Sequence, residues 1–132
     1  MLLVDGNGLP LAVDINAATP AEVTLIEPLL DQAVTPHVPN RLIYDRAADS
    51  DPLRERLADR GIELICPHRR GRQRPATQDG RPLRRYRKRW IVERTVSWLQ
   101  AFRRLVNRYE FYALLFHSFA KLACLMIVLR RF

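Results

Sequence analysis

The spacing of apolar residues predicts short strands and amphipathic helices over the first half of the chain. Residues 1–4 and 9–15 are predicted strands, the second with apolar side chains at alternate positions. Between them, Asp-Gly-Asn-Gly at residues 5–8 predicts a hairpin turn, because Gly and Asn tolerate positive φ. A helix that begins near Thr19 then presents apolar residues at helical spacing.

A second set of elements surrounds Asp45. Residues 41–44 predict a strand that ends at this acid, and Ser50 begins a predicted helix that stops at Gly61. Residues 62–66 predict a further strand. The order β-β-α-β-α-β indicates an α/β fold with a mixed sheet flanked by helices.

The second half of the chain has a different composition. Residues 68–85 are polar, rich in Arg and interrupted by Gly and Pro, which predicts a loop. Residues 86–107 predict one long amphipathic helix, and residues 111–131 predict a largely buried final helix. Residues 1–132 are predicted to form a single domain.

Charge is divided unevenly along the chain, whose formal net charge is +8. Residues 1–66 carry five Arg against eleven Asp or Glu, whereas residues 67–108 carry fourteen Arg or Lys against two acids. Clustered cations displace counterions from phosphates, so nucleic acid is the predicted partner. The alternatives are a solvated basic loop, ribosomal RNA or an anionic membrane surface.

Three features of the sequence bear on the cellular compartment and on membrane association. Cys66 and Cys124 lie in apolar segments without metal-ligand spacing, which predicts buried free thiols in a reducing cytoplasm. The N-terminus lacks the basic region and cleavage site of a signal peptide. Residues 111–129 approach the length of a bilayer span, but Lys121 near their middle favours a core helix over a membrane anchor.

Asp45 stands at the predicted end of a strand, where the active-site groups of α/β folds collect. Asp49 and Asp51 follow it, which places three carboxylates within seven positions. For Asp49 and Asp51 the simpler interpretation is that they favour the positive end of a helix dipole. Asp45 precedes the predicted helix by several residues, so this explanation does not apply to it.

Glu93 is the only acid between Gly80 and Tyr109. A helix over this segment would align on one face Tyr86, Arg89, Glu93, Ser97 and Gln100. A salt bridge between Arg89 and Glu93 at i, i+4 explains this spacing as well as a functional face does.

Three segments carry a resemblance to a known family. Residues 86–93 read Tyr-Arg-Lys-Arg-Trp-Ile-Val-Glu, residues 42–51 read Leu-Ile-Tyr-Asp-Arg-Ala-Ala-Asp-Ser-Asp, and residues 2–11 contain the predicted hairpin. The first has the Tyr-(2)-Arg-(3)-Glu spacing of the signature in bacterial insertion-sequence transposases of the DDE type. The second resembles their second-Asp motif, and the third resembles the hairpin after their first catalytic strand. The resemblance covers nearly the whole chain and implies a ribonuclease-H-like fold.

The resemblance implies that Asp45 and Glu93 are the second and third acids of a metal-binding triad. In this family two divalent ions, normally Mg²⁺ or alternatively Mn²⁺, promote in-line phosphoryl transfer, and hard cations prefer carboxylate oxygens. DNA at the terminal inverted repeats is the implied partner, with a homo-oligomer or an upstream frame product as a further one. The residues predicted to bind DNA are Tyr86, Arg89, Arg87, Lys88, Gln100, Arg70 and Arg72.

The sequence departs from the family pattern at three points. Gly-Tyr of the second-Asp motif is Ala47-Ala48, and the Lys expected seven positions after Glu93 is Gln100. The family's first catalytic Asp lies on a strand before residue 2, so we expect the sheet to lack its first strand. Asp5 is ordinary turn chemistry. The predicted function is therefore a C-terminal transposase fragment that is inactive alone, and the alternative is a non-catalytic nucleic-acid-binding remnant or regulator of a full-length transposase.

Overall fold

The computed structural model describes residues 1–16, 19–78 and 80–131, which form a mixed α/β structure. They divide into two compact units, Met1–Val34 with Trp90–Phe132, and Thr35–Arg89. Each unit contains one two-stranded sheet. The predicted α/β class is confirmed, but the described strands form two small sheets where the sequence predicts one. Each strand has only three or four residues, which leaves few backbone groups to extend a ladder.

The first unit begins with a β-hairpin. Strand β1 (Leu2–Val4) pairs antiparallel with strand β2 (Pro10–Val13). Helix α1 (Glu22–Asp31) packs against both strands, because its apolar side chains recur on one face. Its buried residues are Ile26, Leu29 and Leu30.

The turn of this hairpin is organised by the side chain of Asp5. Its Oδ1 accepts hydrogen bonds from the backbone N–H groups of Asn7 and Leu9, each at 2.8 Å. The backbone N–H of Gly8 donates to Asp5 O at 3.1 Å. The predicted hairpin is confirmed, and the Asp5 carboxylate serves the turn as expected.

Replacing Gly8 with Ala is expected to destabilise the first unit. Gly8 has a φ of +88°, and an added Cβ would lie 2.8 Å from Arg94 Nη2 and 3.0 Å from Thr95 Oγ1. The backbone strain and the close approach together should lower the free energy of unfolding by about 2 kcal/mol. Chemical denaturation measures this change. Gly6→Ala is the matched control, because no described atom lies within 4 Å of its added Cβ, and equal stability of the two variants would contradict the expectation.

The second unit contains a β-α-β crossover. Strands β3 (Arg41–Ile43) and β4 (Glu63–Ile65) pair in parallel, and helix α2 (Asp51–Asp59) connects them and packs on β4. Gly61, at φ +75°, lies between α2 and β4, where the sequence predicts the helix to stop. The buried core of this unit includes Leu42, Leu53, Leu57, Ile62, Leu64, Ile65 and Cys66.

The Arg-rich segment after β4 is partly helical, so the prediction of a loop over residues 68–85 is wrong at its end. Helix α3 (Gly80–Arg84) is followed directly by a 3-10 helix (Arg85–Arg89). Pro82 lies in the first turn of α3, where the missing N–H of proline leaves no helical hydrogen bond unmade. Residues 66–78 contain no helix or strand.

The prediction of a single helix over residues 86–107 is also wrong. After the 3-10 helix, the chain forms helix α4 (Trp90–Gln100) and the short helix α5 (Arg103–Val106). Neighbouring cations in Arg85–Arg89 repel one another at the i, i+3 and i, i+4 spacings of an α-helix. Phe102 is extended between α4 and α5, and both helices pack against the helix that follows.

The final helix, α6 (Ala113–Leu129), is buried along one face only, so the prediction of a largely buried helix is wrong. It packs against β2, α4 and α5 through a face that contains Ala120, Ala123, Cys124 and Ile127. Its other apolar side chains include four that are more than half exposed, Leu114, Leu122, Leu125 and Leu129. Among the described residues, no helix combines the length and apolar character that crossing a membrane requires.

Both cysteines are buried free thiols, as predicted. Burial raises the pKa of Cys124 to about 11 and also raises the pKa of Cys66. Both thiols are therefore protonated at neutral pH, which makes them weak nucleophiles.

Candidate functional site

Asp45 is presented by a tight turn directly after β3. It caps the 3-10 helix Arg46–Ala48, and its Oδ1 accepts a hydrogen bond from the backbone N–H of Ala47 at 2.8 Å. Ala48, the second residue of Ala47-Ala48, is fully buried in this turn, so a small side chain fits there. The Asp45 side chain remains 43% exposed, which leaves it accessible to a ligand.

Arg89 approaches Asp45 within the second unit. Its Nη1 atom lies 3.6 Å from Asp45 Oδ2. Its guanidinium carbon lies 5.8 Å from the centre of the Tyr86 ring, which is a cation–π distance. The structure therefore brings together Asp45, Arg89 and Tyr86, three of the predicted site residues, although 44 positions separate Asp45 from Arg89 in sequence.

Three further predicted cations lie at the surface of this unit. Arg87 and Lys88 are exposed on the 3-10 helix that carries Arg89, and Arg70 is exposed in the Arg-rich segment. Exposed cations of this kind can exchange their counterions for the phosphates of a nucleic acid.

Asp49 is the centre of an ionic cluster that the sequence did not predict, and its side chain is only 2% exposed. Its Oδ1 accepts hydrogen bonds from Arg54 Nη2 at 3.1 Å and Arg72 Nη1 at 3.3 Å, and it lies 2.9 Å from His68 Nδ1. Its Oδ2 accepts from the backbone N–H of Arg69 at 2.8 Å. These contacts fasten the Arg-rich segment to the connection between β3 and α2.

Asp49 and Asp51, which both pair with Arg72, are held in their charged forms. Burial alone raises the pKa of Asp49, but hydrogen bonds from the Arg69 backbone and from His68 and Arg54 lower that pKa to about 2. Hydrogen bonding from Arg72 lowers the pKa of Asp51. The interpretation of both acids as helix-dipole residues is therefore incomplete, since each also binds cations from the Arg-rich segment.

The side chain of Arg72, a residue predicted to bind DNA, pairs with the carboxylate of Asp51. Its Nη2 donates to both carboxylate oxygens of Asp51, at 2.7 and 3.0 Å, and its side chain is 13% exposed. Hydrogen bonding to Asp51 raises the pKa of Arg72. An acidic segment at 45–51 and a basic one at 69–74 were the sequence signal for this pairing, although only the fold shows which members meet.

Glu93 lies on α4 in the first unit, where its side chain is exposed. The helix is fixed to the hairpin turn by the two residues that follow Glu93. The fully buried Thr95 donates through Oγ1 to Gly8 O at 2.7 Å, and Arg94 Nη2 donates to Asn7 O at 2.6 Å. Glu93 therefore lies on a helix that is hydrogen-bonded to the hairpin turn. Gln100 is exposed at the end of the same helix.

A stack of aromatic and cationic side chains runs along α4. The Arg94 guanidinium carbon lies 4.7 Å from the centre of the Trp90 ring and 4.9 Å from that of Trp98. Arg131 lies 4.3 Å from the Trp98 ring. These cation–π contacts hold the outer surface of α4 in one arrangement.

Asp45 and Glu93 carry the donor type that Mg²⁺ or Mn²⁺ prefers, namely carboxylate oxygen. The two acids lie in different units. Among residues 1–16, 19–78 and 80–131, no group of three or more candidate ligands could hold a metal ion. The donor chemistry of these two acids therefore fits part of a divalent-cation site.

Comparison with known proteins identifies the family. Residues 1–128 match the family described as "Transposase DDE domain". The chain is 38% identical over 135 residues to the "Putative transposase for insertion sequence element IS402" of Burkholderia cepacia, an alignment that covers 96% of this chain. The chain spans 60% of the length of that curated relative. No solved structure matches. This chain therefore belongs to the Transposase DDE domain family.

Proposed function

We propose that this chain is the part of a DNA transposase that supplies its second and third catalytic acids, Asp45 and Glu93. The observation that carries the proposal is the approach of Arg89 to Asp45 at 3.6 Å, because it joins two separate family motifs in one place. The proposal includes the ribonuclease-H-like arrangement of a single catalytic domain and its action on DNA at the ends of the element.

Asp45 and Arg89 are proposed to bind different groups at this site. Both side chains are more than a third exposed, so a ligand can reach each of them from the solvent. The Asp45 carboxylate can therefore bind a cation, while the guanidinium of Arg89 can donate to a phosphate oxygen. A bound divalent cation, Mg²⁺ or Mn²⁺, would supply charge neutralisation and a water of lowered pKa.

The DNA contact in this proposal uses exposed cations of the second unit. Arg87, Lys88 and Arg70 would bind backbone phosphates, with Tyr86 beside Arg89 and with Gln100 on α4 as further contacts. Arg72 is left out of this set, because its charge is matched by Asp51 and Asp49.

The proposed function is tested by DNA binding and cleavage. The chain is mixed with a labelled duplex that carries the terminal inverted repeat of its own element, with Mn²⁺ or with EDTA. We expect tighter binding to this duplex than to one of shuffled sequence. Failure to bind either duplex overturns the proposal. Because the chain supplies two of the three acids, binding without metal-dependent nicking fits both the proposal and the alternative of a non-catalytic binder or regulator, whereas metal-dependent nicking excludes that alternative.

The salt dependence of this binding is expected to separate the roles of two neighbouring arginines. Arg70→Ala should reduce the slope of log K against log salt concentration by about 0.9, the value for one phosphate contact. Arg72→Ala should leave the slope unchanged and lower the stability of the chain, because it removes a partner of Asp51 and Asp49. Fluorescence anisotropy over a KCl series measures the slopes. Equal loss of slope in the two variants would contradict this assignment.

A further inference from the structure

We propose that Arg69 is a positioning residue that holds the turn on which Asp45 is presented. This inference rests on the proposed catalytic role of Asp45. Arg69 does not touch the Asp45 carboxylate, and it acts through the peptide groups of the turn between them.

A single peptide group links the two side chains. Arg69 Nε donates to the Arg46 carbonyl oxygen at 3.1 Å. The N–H of the same peptide group, which belongs to Ala47, donates to Asp45 Oδ1 at 2.8 Å. A hydrogen bond accepted at the carbonyl end of a peptide polarises the group and strengthens its N–H as a donor. Arg69 therefore supports the hydrogen bond that orients Asp45.

A second contact fixes the orientation of the same turn. Arg69 Nη2 donates to the Ala47 carbonyl oxygen at 2.7 Å, so two adjacent carbonyls share one planar guanidinium. The rigid geometry of a guanidinium suits this arrangement, and a lysine ammonium cannot reproduce it. The Arg69 guanidinium therefore holds the turn through its carbonyl groups, whereas Asp45 Oδ1 binds the turn through an N–H group.

Asp49 in turn fixes Arg69. Its Oδ2 accepts the Arg69 backbone N–H at 2.8 Å, and its Oδ1 is engaged by Arg54, Arg72 and His68. The Asp49 carboxylate is nearly inaccessible to water, so this anchor is buried even though Arg69 itself is at the surface. The ionic cluster thus fixes the main chain at Arg69, and the Arg69 guanidinium transmits that position to the turn.

The test compares Arg69→Ala, Arg69→Lys and the control Arg41→Ala in the full chain. Arg41 lies in the same unit and forms an exposed salt bridge with Glu63, so its loss removes one charge at small cost. In Arg69→Ala we expect the Ala47 amide to exchange its hydrogen about tenfold faster, with the β4 amides unchanged. Affinity for Mn²⁺ should fall about tenfold, the effect typical of residues that orient a metal ligand. Arg69→Lys should recover only part of each loss.

An unchanged Ala47 exchange rate in Arg69→Ala would overturn the inference, as would full recovery of both readouts in Arg69→Lys. A general loss of protection that includes β4 would also overturn it, because the role of Arg69 would then be global stability. The Ala47 exchange rate needs no metal. If Asp45→Asn and the unaltered chain bind Mn²⁺ equally, the proposed function is wrong. The Ala47 exchange rate in Arg69→Ala still tests whether Arg69 positions the turn.

Discussion

Asp45→Asn and Glu93→Gln are each expected to reduce metal-dependent strand cleavage at the element ends by about a thousandfold or more. Both substitutions keep the shape of the side chain and remove the charge and one oxygen ligand. Asp45 lies at the surface beside Arg89, and Glu93 is exposed on α4, so neither change opens a cavity. The assay uses the transposase reading frame that contains this chain, with a duplex of its terminal inverted repeat and Mg²⁺ or Mn²⁺.

DNA affinity should change by less than about threefold in the same variants, because the phosphate contacts are made by cations that remain. Asp59→Asn is the matched control, since Asp59 is an exposed acid at the end of α2, away from the family motifs. Cleavage that survives either Asp45→Asn or Glu93→Gln would show that the assignment of that acid is wrong.

Asp49→Asn is expected to lower the free energy of unfolding by about 3 to 5 kcal/mol. The Asp49 side chain is 2% exposed and faces the side chains of Arg54, Arg72 and His68. Removing its charge leaves Arg54 and Arg72, whose side chains are 12% and 13% exposed, without their shared counterion. Urea denaturation of the variant measures the loss. Glu63→Gln is the control, because Glu63 is 42% exposed in its pair with Arg41 and should cost less than about 1 kcal/mol.

The lowered pKa of Asp49 predicts how the free energy of unfolding depends on pH. The pKa of Asp49 is lowered from 3.8 to about 2 in the folded chain, so its contribution is complete above about pH 5 and is lost as the pH falls through about 2. The corresponding loss is about 2 kcal/mol. The unaltered chain should therefore lose more stability than Asp49→Asn between pH 5 and pH 2. Parallel stability curves for the two proteins would contradict this account.

Local sequence patterns predicted the first half of the fold well. The hairpin turn was predictable because Asp5 and the glycines satisfy it within a few residues, and both predictions for the crossover strands fall within one residue of β3 and β4. The position of Asp45 at the end of a strand was predictable for the same reason, since a short apolar segment precedes it.

The second half was predicted less well because its structure depends on tertiary contacts. Apolar spacing over residues 86–107 indicates a helix, but it does not register the repulsion within Arg85–Arg89 or the packing that leads to the extended Phe102. The role of Asp49 was missed for a related reason. Its partners lie 5 to 23 positions away along the chain, and only the folded crossover brings them around one carboxylate.

The central proposal is that Asp45 and Glu93 are both acids of a transposase that bind a divalent cation. Mn²⁺ titration of the full chain, of Asp45→Asn and of Glu93→Gln tests it most directly, with Asp59→Asn as control. We expect each of the first two changes to weaken binding about tenfold or more, and Asp59→Asn to leave the affinity unchanged. Wild-type affinity in Asp45→Asn or Glu93→Gln, or an equal loss in Asp59→Asn, would contradict the proposal.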